Sequence, residues 1–422
     1  MTSDQAGVTA PASPANIGTS QVAPDVRRAI MFIALAAGCF TLVHTASFPT
    51  LPIFLSLRGA SEADIALIIG MIGVISIGFR PLVGWLIDAW GRRQMITSAL
   101  IGLTTVAASY GFVSNLVPLG LLRAAQGMGV GVMNAAVNTY VSDRAPTRRR
   151  AEFLGYLNAV QTTANSLGPT LGFAILTWQA PNPLSTVAFW WPDLASFGGY
   201  NFAALFFFMT VVGLVGAGLT LFAPEPKRQG PRRGLSWHHL VYPKAIVPML
   251  LMVGLTVPFA GVITYLPFYA PDRGLTNVGL YFTCQALGAL VAGLTLGRLA
   301  DRLGRRVVVT FGMFGTGLAM IGLASAQNAV LILGAAVLSG FSQGGARNGI
   351  AAWTADQAPP EERGAALSTS SMGFDIGVST GSFVLAGIVP SFGIDTGFYV
   401  AAAVPLAGTL FAYFFLRDQR PH

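Results

Sequence analysis

Charge is scarce in this chain: Asp, Glu, Lys and Arg together make up 10% of 422 residues, against roughly 25% in soluble globular domains. Cysteine is scarcer still. Cys39 and Cys284 both sit in apolar runs without metal-ligand spacing, so neither a disulfide framework nor a thiolate metal centre is written here. No G-x-x-x-x-G-K-[ST] phosphate loop occurs, and the central polar stretch, residues 225–244, is too short for a hydrolase domain, which argues against ATP-driven transport. His44 and Asp375 come without a paired nucleophile, so an enzyme is not expected and no cofactor is called for. What replaces these features is apolar surface: 53% hydrophobic residues, 50 glycines and a mean hydropathy of +0.62.

Such a composition belongs in a bilayer. With no water there to satisfy backbone groups, only helices or a closed barrel can span it, and apolar runs of about 20 residues select helices. Twelve candidate spans centre near Leu35, Gly73, Thr104, Gly129, Ser166, Val211, Gly254, Leu287, Thr316, Ala336, Gly377 and Leu406. They divide six and six. The expected organisation is a disordered cytoplasmic tail over 1–26, a six-helix bundle over 27–224, a cytoplasmic linker over 225–244 and a second six-helix bundle over 245–422. The tail has no basic start or apolar middle of a signal peptide.

The net charge of +8 is explained by where the cations fall. Of 25 Lys and Arg, 20 lie in alternate loops on the side of the tail, and only Arg58 and Arg273 lie in the opposite loops. The asymmetry puts both termini in the cytoplasm, in the cell (inner) membrane, and removes the need for a nucleic-acid partner. Trp190 and Trp191, in the longest outer loop, read as interfacial anchors.

The chain also repeats itself. "GWLIDAWGRR" at 84–93 returns as "GRLADRLGRR" at 297–306, a shift of 213 residues. The same shift sets Gly127 on Gly340, Gly131 on Gly344, Asp143 on Asp356, Arg150 on Arg363 and Gly168 on Gly381. Upstream the offset becomes 215, pairing Leu51-Pro52 with Leu266-Pro267 and Arg58 with Arg273. Charged and proline matches in one register mark a duplicated half. Two such halves in parallel relation are one solution for alternating access to a site near the midplane. In the doubled stretch Gly84 and Gly297 are expected to allow close helix approach, and Asp88 and Asp301 to present carboxylates at span ends. Gly91 and Gly304 would make sharp turns, and Arg92, Arg93 and Arg305 would meet the anionic leaflet. The whole reads as a conformational latch.

Twelve spans, repeated halves and this loop resemble the major facilitator superfamily, whose G-x-L-x-D-x-x-G-R-[RK] signature is matched at Gly84, Leu86, Asp88, Gly91, Arg92 and Arg93. "RAAQGMGVG" is similar to the family's R-x-x-Q-G-x-G element at Arg123, Gln126, Gly127 and Gly129. "ANSLGPTLGF" is similar to an antiporter-associated element at Gly168, Pro169 and Gly172, with Ala164 and Phe173 standing where that element has glycine. The resemblance implies an all-helical transporter of two pseudo-symmetric bundles, a role for Arg123 in substrate binding or proton coupling, and antiport.

Polar groups within spans are costly and so point to function. Arg123, Gly127, Asn134 and Asn138 share one face of a span, as do Asn158, Thr162, Asn165 and Pro169 on the next. Ser368, Ser371, Asp375, Ser379 and Ser382 repeat the pattern in the second half, and both seams are expected to face inward. Asp375 is either a proton carrier or the partner of Arg347 or Arg123, and the residues leave both open. His44 is either a proton-transfer group or a helix-to-helix hydrogen bonder, while Arg80, beside Pro81, is expected to snorkel to lipid headgroups. An interior richer in arginine than in acid favours anionic, zwitterionic or sugar-like solutes over bare cations. The expectation is a monomeric exporter that exchanges a small molecule for protons. The alternatives are a proton-coupled importer of the same fold and a non-transporting membrane receptor.

Overall fold

The computed structural model describes residues 24–146, 149–178, 194, 197–226, 242–359 and 362–416. Most of the tail, most of the central linker and the pair Trp190-Trp191 lie outside these residues, and residues 24–26 of the expected tail open α1. Each of the twelve span centres falls in a helix: α1 (Pro24–Leu57), α2 (Glu62–Trp90), α3 (Arg92–Ser109), α4 (Leu116–Arg144), α5 (Arg150–Leu176), α6 (Phe202–Leu221), α7 (Ile246–Tyr269), α8 (Gly279–Leu303), α9 (Arg305–Ala324), α10 (Ala329–Asp356), α11 (363–392) and α12 (394–415). The last two run on from each other and are separated only by Gly393, at φ +84°. Ten helices among the described residues are long and apolar enough to span a membrane when α11 and α12 are taken as one, and α5 is not among them. Its Asn158, Gln161, Thr162, Thr163, Asn165 and Ser166 dilute an otherwise apolar run.

Helix starts follow from local chemistry. Ser61 and Asp64 form a reciprocal capping box at α2, with Asp64 N–H donating to Ser61 Oγ at 3.2 Å and Ser61 N–H to Asp64 Oδ2 at 3.1 Å. Asn201 and Asn328 accept from the third residue of α6 and α10, both at 3.0 Å. The α2–α3 and α8–α9 breaks are single residues: Gly91 at φ +102° and Gly304 at φ +92°, a backbone that a Cβ would strain.

The duplication is visible in the packing. A Cβ on Gly127 of α4 would meet Ile72 O at 2.5 Å, and one on Gly340 of α10 would collide with Gln285 O. Gly131 likewise faces Ser76, and Gly344 faces Ala289. In each case both partners are related by the same 213 residues. Gly168 against Leu42 and Thr45, and Gly381 against Val257 and Ala260, repeat one α5–α1 and α11–α7 contact. Small residues let backbones approach where lipid offers no hydrophobic drive for helices to associate. The outer helices turn large apolar side chains outward, among them Leu214, Phe311, Leu410 and Phe414, as a lipid-facing surface requires.

Among the described residues three main crossings join the two six-helix bundles, α1 with α7, α2 with α11 and α5 with α8, and α2 also touches α7. The end of the molecule opposite Gly91 and Gly304 is closed. There Tyr265 donates to Glu62 O at 3.4 Å, Thr170 and Thr283 hydroxyls meet at 2.7 Å, and Phe48 packs edge-on to Phe259 at 5.7 Å. Toward the hinge end Asn134, Asn138, Asn158, Thr162, Arg347, Ser368 and Ser371 are all exposed, so the bundles splay apart there.

Candidate functional site

The sequence-derived candidates do not form one cluster; they fall into three. The first surrounds Arg123, whose place on the inner face of α4 leaves it 1% exposed. Its Nη1 donates to Ser47 Oγ of α1 at 3.1 Å and to Gln126 Oε1 at 2.8 Å, while Nε has no acceptor. Gln126 Nε2 meets His44 Nδ1 at 3.3 Å, and Tyr110 donates to Gln126 Oε1 at 3.5 Å. Among the described residues this guanidinium is therefore tied to neutral groups only, with no carboxylate. A buried cation held this way is an electrostatic debt that a bound anion would relieve.

The second cluster crosses between the bundles and overturns two expectations. Asp375 pairs with neither Arg347 nor Arg123 but with Arg80 of α2, Nη2 to Oδ2 at 3.1 Å, and it also accepts from Ser76 Oγ at 3.2 Å. Arg80 does not snorkel to lipid. Its Nη1 donates to Ser368 O at 3.1 Å, so one side chain of the first bundle holds α11 at two points. The reason is the crossing itself: Gly73 lies against the Asp375 backbone and Ser379 Oγ donates to Gly70 O at 2.8 Å, which brings α2 near enough for Arg80 to reach. The α11 seam is corrected accordingly, because Asp375, Ser379 and Ser382 are buried against α2 and only Ser368 and Ser371 remain open.

The third is Arg347 on α10. It is exposed, and its guanidinium lies 4.8 Å from the centre of the Phe374 ring of α11. Asn134, Asn158, Thr162 and Asn165 are exposed on α4 and α5, and Asn138 Nδ2 turns back to Asn134 O at 2.7 Å. Gly168 and Gly172 of the α5 element press on α1 at Thr45 and Ala46, while α5 stays helical through Pro169.

At the hinge end, Arg92 Nε donates to Asp143 Oδ2 and Arg305 Nε to Asp356 Oδ2, both at 2.9 Å. Both partners again differ by 213 residues, a signal legible in the self-comparison as the Asp143–Asp356 match. Asp88 reaches Arg92 only at 3.7 Å. The α3 start is instead held by Glu225, whose carboxylate accepts its first two N–H groups, from Arg92 at 2.6 Å and Arg93 at 2.9 Å. Among the described residues no close approach occurs at Gly84, which is exposed with nothing within 4 Å of where its Cβ would stand. Gly297 and Asp301 fall on α8, but their side chains lie outside the described residues.

A duplicated twelve-helix bundle with ionisable groups at a splayed inter-bundle interface defines a multi-pass membrane protein built for solute passage. The profile of the Major Facilitator Superfamily matches residues 33–281 and 274–422. The chain belongs to this family and is a transporter of small solutes. It is similar to a cis,cis-muconate transport protein of Acinetobacter baylyi, at 25% identity over 80% of this chain and 81% of that one. It is also similar to a multidrug resistance protein, MdtG, of a Rahnella species, at 23% identity over 95% and 97%. A bacterial homologue of the human lysosomal transporter Spinster shares the fold, with a TM-score of 0.74 at 15% identity, over 93% of this chain and 97% of that one.

Proposed function

We propose that this protein exports a small organic solute, anionic, zwitterionic or sugar-like, in exchange for protons. In this reading the bundles 27–224 and 245–422 rock as a monomer in the cytoplasmic (inner) membrane with both termini inside. The observation that carries the reading is the Arg80–Asp375 pair: the carboxylate set deep in α11 is also the group that fastens it to α2. A proton arriving on Asp375 removes the charge that holds Arg80, and the α2–α11 crossing is then free to reset. Proton binding and bundle movement thereby act on one bond.

Cargo preference follows from charge. Arg80 and Arg347 lie against α11, the first on Asp375 and the second on Phe374, while Arg123 is buried inside the first bundle; Arg123 and Arg347 have no carboxylate partner among the described residues. That surplus attracts anions and penalises cations; the similarity to a muconate transport protein supports it, and the similarity to MdtG supports export. With the basic loops in the cytoplasm, the splayed end faces inward, and bare Gly84 awaits a helix contact in the opposite state. The test is flux in proteoliposomes under an imposed pH gradient. Asp375→Asn and Arg123→Ala are expected to abolish proton-driven flux. Full retention in both variants contradicts the assignment, and uptake along with the proton rather than against it makes the protein an importer.

A further inference from the structure

Arg347 has chemistry that the coupling scheme leaves unused. It stands one turn beyond Gln343 and two beyond Ser339 on the same face of α10. Those neighbours are satisfied: Gln343 Nε2 donates to Ser339 Oγ at 2.8 Å, and Gln285 Nε2 of α8 does so at 3.3 Å. Arg347 is not. Among the described residues it lies over the ring of Phe374 and makes no hydrogen bond or ion pair, so its N–H donors have no protein acceptor, and it is exposed where the bundles splay. A guanidinium that keeps its charge at any physiological pH and presents parallel donors is matched by a carboxylate.

Phe374 is also the first of a row of rings. It lies 6.1 Å from Phe259 of α7, which lies 5.7 Å from Phe48 of α1, which lies 5.2 Å from His44. The row crosses from the second bundle to the first. It runs from the open arginine to His44, which stacks in turn on Phe40 and whose Nδ1 meets Gln126, the partner of buried Arg123. Phe48 and Phe259 are buried, whereas Phe374 and His44 are half-exposed. Successive rings are tilted or edge-on, so the surface open to a ligand is that of Phe374. A flat conjugated skeleton packs on such a ring and has few rotors to freeze, and a saturated chain of equal length and charge does neither.

We propose that Arg347 and Phe374 form a clamp for planar unsaturated carboxylates, with the carboxylate on the guanidinium edge and the conjugated skeleton against the half-exposed Phe374 ring. This inference rests on the anionic-cargo reading above and narrows it to a chemical class.

The test compares cis,cis-muconate with adipate, which has the same six carbons and two carboxylates without the double bonds, by calorimetric titration of the purified full-length protein. Muconate is expected to bind about 10-fold tighter than adipate. Arg347→Gln is expected to weaken muconate by about 10-fold or more, from loss of a charge-assisted bidentate pair, with Arg347→Lys falling in between. Phe374→Leu should bring the two ligands to within about 3-fold of each other by weakening muconate alone. Equal binding of muconate and adipate by the unmodified protein, no binding of either, or an Arg347→Gln variant of unchanged affinity each overturns the clamp. The first two comparisons need no variant, so a misfolded substitution cannot hide the answer. Selective muconate binding with flux indifferent to a pH gradient removes proton exchange and leaves the clamp. Proton-driven flux of tetraphenylphosphonium without carboxylate binding does the reverse.

Discussion

Removing Arg80 should cost more than removing Asp375, although each deletes the same ion pair. At 3.1 Å and an effective dielectric constant of 20, the attraction is about 5 kcal/mol, most of which desolvation takes back. The asymmetry arises from what is left behind. Arg80→Ala strands the Asp375 carboxylate, 11% exposed, with Ser76 as its one remaining donor. A buried charge left without its partner costs about 3–5 kcal/mol. Scaled by the per-residue entropy of unfolding over 422 residues, that is a fall in melting temperature of roughly 3–6 °C. Asp375→Asn leaves Arg80 bonded to Ser368 O and 15% exposed, able to recruit water, for a loss of about 1–2 kcal/mol. The Arg80→Ala deficit also depends on pH: a stranded carboxylate is relieved by taking up a proton, so the deficit is full at pH 8 and shrinks toward pH 5. The assay is thermal unfolding of both variants and the double variant in one detergent across that range. An Arg80→Ala protein as stable as the parent at pH 8, or an Asp375→Asn protein that loses more, refutes the reasoning.

Gly127→Leu and Gly340→Leu should each abolish monodisperse elution on size exclusion, because the new side chain starts inside the backbone of Ile72 or Gln285 and backbone cannot step aside; a loss above about 3 kcal/mol is expected from overpacking of this kind. Gly84→Val should leave thermal stability within about 0.5 kcal/mol, since its site is open here, while slowing flux, and unchanged flux would show that no helix closes on Gly84 in the cycle. Glu225→Ala should cost about 1–2 kcal/mol by freeing the first two N–H groups of α3, readable as faster amide exchange at residues 92 and 93.

The sequence carried what local chemistry and repetition can encode. Apolar runs placed all twelve spans, α5 included, where polar residues thin the hydropathy and the repeat supports the assignment. The repeat also held the Arg92–Asp143 and Arg305–Asp356 pairs, visible as matched positions though not as partners. The links between bundles were hidden because they depend on how two surfaces meet. Arg80 and Asp375 are 295 residues apart, and the repeat gives no hint of the pair: their equivalents by the 213 shift, Gly293 and Thr162, do not touch. An arginine beside a proline near a span end looked lipid-seeking because its partner lies on a helix from the other half. Glu225 escaped notice for the same reason, since its carboxylate serves a helix start more than 130 residues earlier.

The central claim is that two rigid bundles exchange which end is open. Spin labels on Asn138→Cys and Leu367→Cys would report the hinge end, and on Glu62→Cys and Thr276→Cys the closed end, all four positions being exposed, with half-buried Cys39 and Cys284 replaced by serine. Pulsed dipolar distances in liposomes at pH 5 and pH 8 are predicted to move in opposite directions, the first pair approaching as the second separates. Distances that change together at both ends, or at neither, would contradict it.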